Sequence, residues 1–556
     1  MKNYIFNIGI MLILFSCSHE ETIEESVLHH TELLSKKEIN SIIKKSLKKT
    51  GDFNWSDQNI ETVFSALNHG NNILTVGYHA NQSRSKSSSS KKIKNGILNL
   101  IRSKEKTSSK AITNFYSNDN LNLIDIKVKN KETLAALLND KRVRYIEPAG
   151  YCFFENNLSN SKNTSYPREF TGNGDYINRN HHYNIFKNIS DPFSEETHYN
   201  RKKSNHLINR ILESHEESFY LNSSKNSSQQ VCCSEKMKIS TSDYRTIVPG
   251  ARVPWAFDLH KIPEAWNYST GSGVTIALID TGISSEQTLM NQNFNDGHSR
   301  GRSLQKFGTF VDSATTLLNY YDGVNDKCGH GTHMASVATA PRNDNNLPVG
   351  VAYNANLVSY RAVRDVIINE YNEKKGVSEA LIALGNRSDI KIISMSIGSP
   401  YSIRRIEDAI KYAHSKGKMI IAAGGTSSPF TTWFGVVFPA SMKETVAVTG
   451  VKEGRYEGCD ECHTGEEIDF TIQIQRTNGT KNTIPVLGYY DGTSYYEGGA
   501  SIATATTAGI AALIWSKNPD WSREQVLEKM KQSSHYYPSK DAQFGYGNIN
   551  ALKAVQ

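Results

Sequence analysis

Between Val274 and Ile279 the chain reads Val-Thr-Ile-Ala-Leu-Ile, apolar with no alternation, and it then stops at Asp280. A strand with one wet face alternates; a strand that does not is buried on both faces, as in a parallel sheet covered by helices on each side. Open sheets of that kind place their chemistry at the carboxyl ends of the strands. Asp280 therefore stands where a site is expected. Two further strings, Gly329-His330-Gly331-Thr332-His333-Met334-Ala335 and Gly499-Ala500-Ser501-Ile502-Ala503-Thr504-Ala505, set a histidine and a serine in frames of small residues. The stretch Thr332 to Ala340 reads as a buried helix. Ser501 opens the run to Trp515, rich in Ala, Thr and Ile, which puts its hydroxyl at a helix N-terminus, where the dipole favours developing negative charge. Serine hydrolysis needs a hydroxyl nucleophile, an imidazole to take its proton and a carboxylate to orient that imidazole. All three are present, in the order Asp, His, Ser. Taken singly, Asp280 reads as well as a turn cap, His330 as a structural histidine and Ser501 as a helix cap. The three frames together favour the chemistry.

That order and those frames resemble the subtilase family, the subtilisin-like serine peptidases. Gly350-Val-Ala-Tyr-Asn-Ala-Asn-Leu357 resembles the family strand after the histidine helix, and Ile392-Ile-Ser-Met-Ser-Ile-Gly398 its substrate-pairing strand. Gly417 to Thr426, Phe438-Pro439-Ala440 and the closing Gly545 to Ala551 also fit in register, so the resemblance covers about residues 251 to 556. It implies an α/β, subtilisin-like fold with a mostly parallel central sheet flanked by helices, preceded by a small α+β propeptide domain. It implies an endopeptidase in which Ser501 attacks the peptide carbonyl, His330 takes and returns its proton, and Asp280 orients the imidazole. An extended substrate would pair with strand edges, with Ser396, Ile397 and Gly398 on one side. Ala423, Gly424 and Gly425 would shape the specificity pocket, their small size leaving room for a large residue.

Two positions depart from the family pattern. A typical subtilase supplies an asparagine to the oxyanion hole; aligned from Gly417 without gaps, this chain has Thr426 there. Removing one such donor costs a subtilisin roughly 10²–10³ in rate. Thr426 with the Ser501 N–H is thus expected to give weakened or specialised catalysis, and a catalytically silent subtilase-like binding protein is the rival reading. After the serine, Ala505 and Thr506 replace the usual Pro and His, a change at the helix entry and not in the triad.

The chain opens Met1-Lys2-Asn3, then Tyr4 to Phe15 almost wholly apolar, then Ser16-Cys17-Ser18-His19-Glu20-Glu21. The apolar stretch suits a signal-peptide core and is too short to span a bilayer. Leu14-Phe15-Ser16-Cys17 resembles a bacterial lipobox, which implies lipid on Cys17 and an outer-membrane or cell-surface lipoprotein held by that lipid. A plain cleaved signal peptide is the alternative. The expected division is 1–17 signal peptide, 18–70 polar leader with a helical pattern from Leu33 to Leu47, 71–151 propeptide or inhibitor-like domain, 152–250 low-complexity linker or insertion, and 251–556 peptidase domain. Within the second and third parts, strands and helices are expected at 72–78, 91–102, 121–128, 131–138 and 143–146, with Ser83 to Lys92 as a solvated loop. Leu138 to Pro148 resembles the end of a subtilase propeptide, a domain that templates folding and plugs the site until removed.

A net charge of +7 over 556 residues is mild and argues for no acidic partner; without a reading helix or interleaved aromatics, no nucleic acid is expected. The expected partners are polypeptide substrates and the chain's own propeptide. Apart from Cys17, six cysteines remain: Cys152, Cys232, Cys233, Cys328, Cys459 and Cys462. An even number in an exported protein makes disulfides plausible, with the pairing open. Cys459-Asp-Glu-Cys462-His463 also has the form of a c-type haem attachment, a third reading, against a local disulfide or a small metal clip. No metal site is expected, the His181-His182 pair included, and no cofactor is assigned; a structural calcium is not identifiable from residues alone.

Overall fold

The computed structural model describes residues 33–79, 86–106, 116–154, 237–311, 322–426, 435–477 and 483–556. The expectations for Cys17, the His181-His182 pair, Cys232 and Cys233 lie outside them.

The run that ends at Asp280 is a strand, β7 (Thr275–Asp280), and all six of its residues are buried. Its alternate side chains feed two different cores. Ile276 and Leu278 join a cluster with Met334, Ala335 and Ile510, while Ala277 and Ile279 join another with Leu381, Ile406 and Ile410. That is the physical content of apolarity without alternation. Around β7 the sheet has seven strands in the order β13 (Phe470–Gln475), β12 (Val446–Lys452), β11 (Met419–Ala423), β10 (Ile390–Met395), β7, β9 (Asn356–Arg361), β8 (Leu304–Gly308), paired in parallel throughout. Strands 8 and 9 lie on one side of β7 and strands 10 to 13 on the other. The direction of winding thus reverses between β7 and β10, and a crevice opens at the carboxyl ends there.

One face of the sheet carries helix Gly499–Lys517, which packs on β10 to β13 and on helix His330–Thr339. It is long and apolar enough to cross a membrane, but it is a core helix, apolar all round because it is covered all round. The other face carries helices Tyr371–Gly385 and Arg404–Ser415, packed on each other.

The N-terminal part forms a separate α+β unit. Its antiparallel sheet runs β2 (Tyr116–Asn118), β3 (Leu123–Lys127), β1 (Ile73–Tyr78), β4 (Val143–Pro148). Three boundaries differ from the sequence reading. Helices Lys36–Thr50 and Ile60–His69 belong to this unit, because Ile39, Ile43, Val63 and Leu67 share its core with Leu74, Ile124 and Ile146; the 18–70 segment is therefore not a separate leader over its described length. The expected loop at Ser83 to Lys92 is, from Lys86 on, the start of helix Lys86–Glu105, whose Ile97, Leu98 and Ile101 face are buried. At the far end, β5 (Tyr244–Ile247) pairs with β6 (Ala251–Pro254), so the protease body starts before 251.

The unit sits on helices Tyr371–Gly385 and Arg404–Ser415. Asp125 of β3, wholly buried, accepts from Thr75 Oγ1 (2.6 Å), Tyr371 OH (2.7 Å) and Arg405 Nη1 (3.0 Å), and Arg405 is itself wholly buried. Arg144 pairs with Asp408 at 2.6 Å. Beyond β4, Lys374 Nζ donates to the carbonyls of Ala149 and Tyr151 (3.0 and 2.9 Å), and the Asn369 amide holds Phe154 through both its N–H and its C=O.

Candidate active site

Asp280 ends β7 with 2 % of its surface exposed, and its Oδ1 lies 2.8 Å from His330 Nδ1. The Thr281 N–H donates to the same oxygen (2.8 Å), which fixes the carboxylate. His330 begins its helix after Gly329, whose φ of 102° favours glycine, and a Cβ on Gly331 would stand 2.3 Å from the Gly282 carbonyl. Those contacts explain the glycines on either side of the histidine. What holds the turn is Asp326, 1 % exposed. It accepts from the N–H groups of Cys328 (2.8 Å), Gly329 (2.8 Å) and Thr332 (3.0 Å) and from the hydroxyls of Thr332 (2.6 Å) and Thr281 (2.9 Å). Sequence reasoning missed it, since a lone Asp in a loop resembles any solvated turn.

Ser501 stands in the first turn of helix Gly499–Lys517 and lines a cavity of about 440 Å³ together with His330. Ser396 Oγ donates to the Ser501 carbonyl (3.1 Å), tying the expected substrate strand to the serine helix. Of the other expected residues, Thr426, Ser396, Ile397, Gly398, Ala423 and Gly425 line the same cavity, whereas Gly424 does not: its N–H bonds Val448 O, and a Cβ there would meet Ile468 at 2.6 Å. Thr426 Oγ1 accepts from the Ala500 N–H (3.2 Å), which brings its hydroxyl to the serine turn. Gly398 is already paired. Its N–H donates to Val366 O (3.0 Å) and its carbonyl accepts from Ile368 N–H (2.8 Å), so the chain's own 366–368 segment occupies the edge expected for substrate.

A second histidine was overlooked. His333, wholly buried one turn after His330, pairs with Glu497 (2.7 Å) and stacks on Tyr495 (5.0 Å), and Glu497 lines the cavity too. Burial by itself would lower the His330 pKa, but the carboxylates of Asp280, Glu497 and Asp326 outweigh it and raise the imidazole to about 9.

Cys459 and Cys462 form a disulfide. Neither sulfur is then open to thioether attachment, so the haem reading is set aside and the local disulfide holds. Cys328 is buried in the turn before His330. Among the described residues no group of three or more His, Cys, Asp or Glu is placed to hold a metal ion.

The buried Asp280–His330 pair and the helix-borne Ser501 that lines the same cavity as His330 are the kinds of group serine hydrolysis uses. The subtilase family profile matches residues 271–547. Subtilisin Savinase of Lederbergia lenta is 29% identical over 309 residues, covering 55% of this chain and 99% of that protein. Subtilisin E of Bacillus subtilis (strain 168) is 30% identical over 310 residues, covering 55% and 71%. The crystal structure of MycP1 with its N-terminal propeptide removed aligns at 23% identity over 55% of this chain and 98% of that one, with a TM-score of 0.43. The chain belongs to the subtilase family and is a serine-type endopeptidase acting on polypeptides.

Proposed function

We propose that Ser501 is the nucleophile, His330 the general base and acid, and Asp280 the group that orients the imidazole. The observation that carries this reading is the 2.8 Å approach of Asp280 to His330 in the cavity that Ser501 lines. Ser501 Oγ adds to the substrate carbonyl as its proton passes to His330; the imidazolium then protonates the leaving amine, and water repeats the sequence on the acyl-enzyme. Thr426 Oγ1 accepts from the Ala500 N–H, which brings its hydroxyl to the serine turn, and that hydroxyl acts as a donor to the oxyanion beside the Ser501 N–H. Ser396, Ile397 and Gly398 take the extended substrate on one side, after the 366–368 segment yields its two hydrogen bonds.

The same proposal covers the precursor. Residues 33–154 act as an inhibitory propeptide, the protein is exported, and lipid on Cys17 holds it at the outer membrane or cell surface. What supports the propeptide role is the tail after β4, which runs by Lys374 to Asn369, three residues beyond Val366 at the cleft edge. Expression of the wild type beside Ser501→Ala tests the whole reading. The wild type should release a fragment ending between Pro148 and Val248 and digest casein, while Ser501→Ala stays uncut and inert. Equal processing of both would assign the cut to another protease, and absence of proteolysis would favour a silent binding protein. Cys17→Ser should move the protein from membrane to soluble fractions; failure of labelled palmitate to enter the wild type would remove the anchor.

A further inference from the structure

Small residues at Ala423 and Gly425 leave room for a large substrate side chain only if no other part of the chain enters the space. Residues 435–438 enter it. They run between the two walls that flank the cleft and are stitched to both. On one wall the Val437 N–H donates to Gly424 O (2.9 Å); on the other, Phe438 exchanges two hydrogen bonds with Ser399, its N–H giving to Ser399 O (3.1 Å) and its carbonyl accepting from Ser399 N–H (2.8 Å). The Val437 carbonyl in turn accepts from Ser441 N–H (3.1 Å).

Val437, partly exposed, lines the cavity with Ser501. A Cβ on Gly398 would stand 3.1 Å from its Cγ2, and a Cβ on Gly425 would stand 3.1 Å from its Cγ1. Ordinary carbon–carbon contacts lie at about 3.5–4.0 Å, so the two methyls of one side chain rest against both walls. Behind Gly425 the space is also taken, since the same Cβ would meet His463 Nδ1 at 2.6 Å. The glycines at 398 and 425 thus make room for Val437. A β-branched side chain is stiff at χ1, and this one stands on a backbone held from both sides, so it does not swing aside at small cost.

An alanine or serine side chain fits above those methyls. The branches of leucine or the ring of phenylalanine would overlap Val437 or push its stitched backbone outward, the cost of any overpacked site. We propose that Val437 is a specificity-determining residue that closes the floor between Gly398 and Gly425 and makes this protease cleave after small side chains. The inference rests on the reading of Ser501 as nucleophile and of Ser396–Gly398 and Ala423–Gly425 as the walls around the residue before the cleaved bond.

The test uses the autoprocessed enzyme on three peptides identical except for Ala, Leu or Phe before the scissile bond. Wild type should favour Ala over Phe in kcat/KM by roughly 10-fold or more, the scale of a methylene too many in an apolar pocket. Val437→Ala removes both methyls and should raise kcat/KM on Leu and Phe roughly 10- to 100-fold, with Ala changed less than about threefold. Val437→Thr keeps both branches and should keep the wild-type order. A wild type that cleaves after Phe as well as after Ala, or a Val437→Ala change equal on all three peptides, overturns the inference while leaving the peptidase reading intact. Cleavage of the Ala peptide by Ser501→Ala would instead bring down the nucleophile assignment, and this inference with it.

Discussion

The contact between Asp125 and Arg405 joins the N-terminal unit to the protease body through a pair with no exposure on either side. Replacing Asp125 by Asn keeps the shape and the acceptor for Thr75 but leaves the Arg405 guanidinium buried without its counter-ion, and Arg405 Nε and Nη2 already lack a hydrogen-bond partner among the described residues. Breaking a buried pair from one side costs about 3–5 kcal/mol, while replacing both members can be nearly neutral. Asp125→Asn and Arg405→Met should each lose that amount, and the double variant at most about 1–2 kcal/mol, because the Asn still serves the Thr75 and Tyr371 hydroxyls at roughly 1 kcal/mol apiece. Urea unfolding of the full chain in a Ser501→Ala background, which prevents self-cleavage, reads this through Trp55 in the core of the N-terminal unit. With a slope of about 1–3 kcal/mol per molar, each single change should lower the midpoint by about 1 M or more. Singles that shift it by less than about 0.3 M, or a double variant equal to the sum of the singles, would refute the reasoning.

Thr426→Val removes the hydroxyl and keeps the shape, so kcat should fall by less than the roughly 10²–10³ of an asparagine donor, with little change in KM; wild-type turnover on a sensitive peptide would exclude Thr426 as donor. Because the base must be neutral to accept the serine proton, kcat/KM should climb with pH on a limb centred near 9, and Glu497→Gln, which removes one carboxylate that raises His330, should move that limb to lower pH. A limb that stays in place would show that Glu497 does not act on His330. Burial lifts the Glu147 carboxyl to about 7 from its ordinary 4.5, against the pull of Lys374, Arg404 and Arg405. A raised acid binds its proton more tightly folded than unfolded, so this contribution is full below 4.5 and fades as pH rises through about 7. The N-terminal unit should therefore unfold at lower urea at pH 8 than at pH 5, and Glu147→Gln should narrow the gap; an unchanged gap would remove Glu147 from the pH response.

The sheet and its three focal residues were legible because their signals are local. A strand covered on both faces must be apolar throughout, and glycines that flank a histidine record close backbone approach at Gly331 and Gly282. Partners supplied by distant chain were not legible. Asp326 joins the site only when its loop folds back on the His330 turn, and Glu497 acquires meaning only against His333, 164 positions away. Helix Lys36–Thr50 looked like a leader because lysines dominate its composition; only a narrow stripe, Ile39, Ile43 and Leu47, is buried, and it packs with Val63, Ala66 and Leu67 of helix Ile60–His69. The serine and lysine run near 86 read as loop for the same reason, its propensity overridden by the apolar face that follows. The Cys-x-x-Cys-His string admitted several chemistries until its sulfurs met each other.

Labelling with a fluorophosphonate probe, followed by peptide mapping, tests most directly whether Ser501 is the activated nucleophile. The autoprocessed wild type should take up one label, on the peptide that begins the Gly499–Lys517 helix, and His330→Ala should take it up far more slowly although Ser501 is still present. A label on another serine, or casein digestion that persists in Ser501→Ala, would contradict the assignment.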